Sequence, residues 1–71
     1  MNESEIKSGC KFAIKGNQNL FRYSDECIEY ADGDMRGQWV AHVESFNLFG
    51  MIVKCVDNTK FLLFSDMTSC V

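Results

Sequence analysis

The stretch His42 to Val56, HVESFNLFGMIVKCV, followed by the turn DNTK and a second apolar run, FLLF, constrains the fold more than any other part of the chain. Apolar-rich runs joined by tight polar turns read as antiparallel strands. Gln38 to Ser45 alternates, with Trp39, Ala41 and Val43 on one face, toward the core, and Gln38, Val40, His42 and Glu44 on the other. Leu48 to Val56 places Phe49, Met51, Val53 and Cys55 on one face and Leu48, Gly50, Ile52, Lys54 and Val56 on the other. Phe61 to Phe64 is a strand with no polar face, and Thr68 to Val71 a final short one. Strands that are apolar on both faces must be covered on both, by another part of the chain or by another molecule.

At 71 residues the chain is a single domain, 1–71, of a size that buries only about 60% of the surface its unfolded form exposes. Hydrophobic residues make up 46%, too many for an intrinsically disordered segment. No apolar run is long enough to span a membrane, so no membrane partner is expected. Seven Lys and Arg against ten Asp and Glu give a net charge of −3. That balance is a handicap for nucleic-acid binding and suits a basic protein partner.

The four cysteines, 10, 27, 55 and 70, form no closely spaced pair. The first residues, MNESEIK, contain no apolar leader core, so a cytoplasmic location and free thiols are expected. A zinc site from Cys27, His42, Cys55 and Cys70 lacks the paired spacing of structural zinc, so no metal or other cofactor is expected.

Two segments admit two readings. Met1 to Lys15 fits a helix with Asn2 as N-cap, or a hairpin in which KFAIK and LFRY flank GNQN; the alternation of Phe12 and Ile14 favours the hairpin over Lys11 to Tyr23, leaving a short helix or a frayed arm before it. Ser24 to Gly33 fits one or two helical turns capped by Ser24, or a strand over Cys27 to Tyr30. The whole reads as a mainly β fold: a small, strongly bent antiparallel barrel of Sm or SH3 type with a short N-terminal or interstrand helix.

Between Gly33 and Val71, VESFNLFGMIVK resembles the second and third strands of the Sm-like (Hfq-like) family of small β-barrels, and FLLFSDMTSCV the fourth and fifth. The resemblance implies a ring in which the fourth strand of one copy pairs with the fifth of its neighbour, hence a homo-oligomer with Phe61, Leu62, Leu63 and Phe64 at the interface. It also implies single-stranded RNA as ligand, with Phe49, the one match to a family RNA contact, stacking on a base; Asn47, Arg36 and Lys54 are further candidate binding residues of that reading. Departures from the family pattern are Asn47 in place of Asp, Ala41 in place of Gly, and Phe64-Ser65 in place of the RNA-contacting Lys-His pair.

Asp25, Glu26 and Glu29, with Asp32 and Asp34, form an acidic cluster without the spacing of a calcium loop. It supports an alternative function, an acidic protein-interaction or inhibitor module of the kind mobile elements and phages encode. His42, the one histidine, has no nucleophile in a recognisable motif beside it, so the chain is expected to bind rather than catalyse.

Overall fold

A computed structural model describes residues 1–70. Six strands, β1 (Lys11–Ala13), β2 (Leu20–Ser24), β3 (Cys27–Tyr30), β4 (Trp39–Phe46), β5 (Gly50–Cys55) and β6 (Thr59–Leu63), form one antiparallel sheet in sequential order that curls into a half-barrel. All connections are hairpin-like. One end of the sheet therefore carries the β2–β3 and β4–β5 turns, and the opposite end carries the β1–β2, β3–β4 and β5–β6 connections.

The hairpin over Lys11 to Tyr23 is present, with Phe12 facing Phe21 in register. No interstrand helix forms between Ser24 and Gly33. Asp25 and Glu26 adopt left-handed conformations (φ 48° and 67°), and Ser24 pairs with Cys27. A two-residue loop with positive φ at both positions matches the twist of the flanking strands, so hairpin closure overrides the helix-cap signal at Ser24. The N-terminal helix is reduced to one 3-10 turn, Glu3–Glu5.

Phe12, Phe21, Ile28, Ala41, Val43, Met51, Val53, Phe64 and Met67 form the core, each at most 7% exposed. Phe21 links its two aromatic neighbours, with ring centroids 6.0 Å from Phe12 and 5.4 Å from Tyr30. Each buried Phe, Ile, Val or Met side chain contributes about 1.5–3 kcal/mol by leaving water.

Strand β4 contains two irregularities that strict alternation does not anticipate. Ile28 pairs with Ala41 while Glu29 pairs with Trp39, leaving Val40 as an extra residue; Val43 pairs with Val53 while Ser45 pairs with Ile52, leaving Glu44 as another. Each bulge inverts the inside-outside phase. Ala41 and Val43 face the core as the pattern predicts, but Trp39 is turned outward and is 49% exposed. Beyond the second bulge Phe46 turns inward and meets Tyr23 edge-on at 6.3 Å.

Strand β5 begins at Gly50, so Phe49 lies in the preceding turn and is exposed rather than sharing the inward face with Met51 and Val53. A Cβ on Gly50 would run into the Leu62 carbonyl oxygen, so only glycine permits β5 and β6 to approach there. The FLLF run divides: Phe61 and Leu63 remain 44% and 40% exposed, Leu62 is half-buried, and Phe64 leaves the strand to enter the core from a 3-10 turn, Phe64–Asp66.

The expected last strand is reduced to a bridge between Met67 and Ile14, with Val71 outside the described residues. Around this bridge the Lys15 amide donates to the Asp66 carbonyl (2.7 Å), the Thr68 amide to the Ala13 carbonyl (3.0 Å), and the Ala13 amide to Thr68 Oγ1 (2.8 Å). The seam is sealed covalently, because Cys10 and Cys70 form a disulfide with Cα atoms 5.2 Å apart. Free thiols are thus confined to Cys27 and Cys55. The pairing joins cysteines 60 apart in sequence, which only the curl of the sheet brings together.

Closing a loop of this length removes about 4 kcal/mol of unfolded-state entropy. Reduction, or Cys10→Ser with Cys70→Ser, is expected to lower stability by about 2–4 kcal/mol and the melting temperature by about 10–25 °C, measured by circular dichroism. Unchanged melting would mean that the seam is held by its hydrogen bonds and by Met67 alone.

Candidate functional site

The exposed apolar side chains concentrate on β6 and on the β4–β5 turn. Asn47 builds that turn. Its Oδ1 accepts hydrogen bonds from the Phe49 amide (2.7 Å) and the Gly50 amide (3.1 Å), and its own amide donates to the Gly50 carbonyl (2.9 Å). A short polar side chain bonded to the backbone two and three residues on fixes a tight loop. The fixed loop lifts Leu48 (85% exposed) and Phe49 (67%) into solvent at one end of the sheet. Neighbouring on the outer face are Phe61, opposite half-buried Ile52, and Leu63, opposite Gly50.

The residues expected to bind RNA do not converge. Asn47 spends its side-chain oxygen on the turn, and Phe49 is free to stack. Lys54 is exposed on β5, opposite His42 and Thr59. Arg36 lies in the loop before β4, a full strand length of about 26 Å from Phe49. In the acidic cluster, Asp25 and Glu26 are exposed at the β2–β3 apex, while Glu29 Oε1 sits 3.4 Å from Arg22 Nη1 on the neighbouring strand. Asp32 and Asp34 belong to the opposite end of the molecule.

Burial is the largest influence raising the Tyr23 phenol above its ordinary pKa, followed by the negative charge of Glu26 and Asp25. Cys27 and His42 are direct cross-strand partners, both half-buried. Among the described residues no three His, Cys, Asp or Glu side chains are placed to hold a metal ion.

At the end of the sheet opposite the Asn47 turn, the half-barrel is not filled. A cleft of about 120 Å³ opens between the β1–β2 turn and β6, floored by Phe21, Ile28, Ala41 and Val53, with Cys55 and Lys60 among its walls. A shallower groove of about 400 Å³ follows the seam between Ala13–Asn17 and Ser65–Thr68. Leu48 and the cleft escaped residue-by-residue reading. Strand alternation assigned Leu48 to a ladder it does not join, whereas the Asn-x-x-Gly spacing of a side-chain-closed turn was the available signal.

Replacing Asn47 by Ala is expected to destabilise the fold by about 1–2 kcal/mol through loss of two backbone partners, measured by urea unfolding. Because the Tyr23 pKa is raised in the folded state, its contribution is fully present below the unfolded value near 10 and is lost as pH rises through the folded value. Tyr23→Phe is therefore expected to flatten the loss of stability above about pH 10, read from melting temperatures against pH. An unaltered alkaline limb would remove Tyr23 from that account.

No family model, curated protein or solved structure matches this chain.

Proposed function

We propose that the protein is a non-enzymatic binding module that works as a self-associated small β-barrel. The observation that carries this reading is the apolar surface a single copy leaves in water, at Leu48, Phe49, Phe61 and Leu63. Strand β6 adds an edge that no strand among the described residues pairs. The Cys55 amide bonds the Asn58 carbonyl and the Phe64 amide bonds the Phe49 carbonyl, which sets the phase of the β5–β6 ladder. Lys60 and Leu62 then direct their main-chain groups to β5, and Thr59, Phe61 and Leu63 direct theirs away from it. An exposed edge with large apolar side chains is a template for pairing with another chain.

The Sm-like reading draws support from the order of elements at the C-terminal end: a strand paired to β5, a 3-10 turn, and a segment that closes on β1. Against it, β1 lies outside the stretch that carries the resemblance. Single-stranded RNA suits such an assembly as ligand through exposed Phe49, since an aromatic ring stacks on any base. The acidic protein-interaction reading rests on Asp25 and Glu26, two exposed carboxylates held at a hairpin apex. The disulfide would persist in oxidising surroundings, so a cytoplasmic location would go with an unlatched seam.

Light scattering across a hundredfold range of protein concentration is expected to give a mass several times that of one chain, and Phe61→Lys to shift it toward the monomer. A strict monomer throughout would overturn self-association. Oligo-U and oligo-A anisotropy at two salt concentrations separates the ligands; no binding at low salt would leave the acidic reading standing.

A further inference from the structure

Resting on the self-association reading, we infer that the Leu48–Phe49 turn of one copy seats in the cleft at the far end of the sheet of the next. The two features are complementary in size. An apolar cavity near 150 Å³ accepts a benzene-sized guest, and the cleft is about 120 Å³ with a floor of buried Phe21, Ile28, Ala41 and Val53. It is too small for an ordinary cofactor site, which takes about 300–1,000 Å³. It suits one leucine or phenylalanine side chain.

The turn offers such side chains on a backbone that is already fixed. Leu48 and Phe49 are the most exposed large apolar residues besides Val56, and Asn47 holds their backbone through its two side-chain hydrogen bonds. Little backbone freedom remains to be lost when they dock. A copy cannot fill its own cleft, because Val40, at the cleft, and Phe46, beside the turn, are separated by about 20 Å of extended strand. Charge agrees with the pairing: Lys60 lines the cleft, and Glu44 lies exposed on the strand that leads into the turn. A contact between unlike surfaces at opposite ends of one molecule is head-to-tail, and it builds a ring where the rotation closes and a filament where it does not.

Cys55 is a built-in reporter, since its thiol is free and lines the cleft, while the other free thiol, Cys27, lies outside it on β3. Reaction with a small maleimide is followed at low and high protein concentration in the wild type and in a Leu48→Glu/Phe49→Glu variant, with mass measured in parallel. The expected result is that Cys55, but not Cys27, becomes about tenfold slower to react as concentration rises. The variant is expected to lose that protection and to associate about tenfold to a hundredfold more weakly. Both replaced side chains are exposed, so the variant retains its core; its melting curve checks this. Association that persists in the variant, with Cys55 reactivity independent of concentration, would overturn the docking while leaving self-association through β6 intact. A wild type that is monomeric throughout would overturn both. Binding of the wild type to neutral phosphatidylcholine vesicles without self-association, lost in the variant, would assign the turn to a lipid surface and overturn the docking.

Discussion

The seam between β1 and the C-terminal segment is the constraint on which the rest of the molecule depends. Strand β1 has only three residues, and among the described residues its outer side is held by Ile14 facing Met67 and by hydrogen bonds at Ala13 and Lys15 to Thr68 and Asp66. Without this closure Phe12, Phe64 and Met67 would lose cover together. The native stability of a domain this size is about 5–10 kcal/mol, so a cross-link worth about 4 kcal/mol supplies a large share of it. A small core is thus compensated by covalent closure of the curled sheet.

The strands with long alternating runs were legible in the sequence, because period-two patterning with polar turns has few other solutions. Phe12 and Ile14 likewise gave away the first hairpin. What was not legible was phase. A bulge inserts one residue without any compositional mark, and at Val40 and Glu44 the insertions exchange the roles of Trp39 and Phe46. The Cys10–Cys70 pairing was hidden for a related reason: sequence spacing carries no record of how far a sheet will curl. At Ser24 a cap signal competed with hairpin geometry, and the local closure of β2 on β3, reinforced by the pairing of β3 with β4, decided the outcome.

The candidate surface was legible in part. FLLF was recognisable as a run needing cover on two sides, and its alternation does leave Phe61 and Leu63 outside. The aromatic at 49 was found, though its display comes from a turn and not from a strand. Residues grouped by composition behaved differently from residues grouped by ladder position. Arg36 and Phe49 share a binding rationale yet occupy opposite ends of the sheet, while the acidic cluster is split by the length of β3. Only pairing register could have separated them.

The apex formed by Asp25 and Glu26 carries one more consequence. For residues with a Cβ, the left-handed conformation is disfavoured by roughly 1–2 kcal/mol each, and asparagine followed by glycine fills such loops with less strain. Two adjacent carboxylates also repel one another there. The hairpin is therefore held by the pairing of its strands and not by its apex, and the corner stands as a reserve of stability that two surface substitutions could release without disturbing a single buried atom.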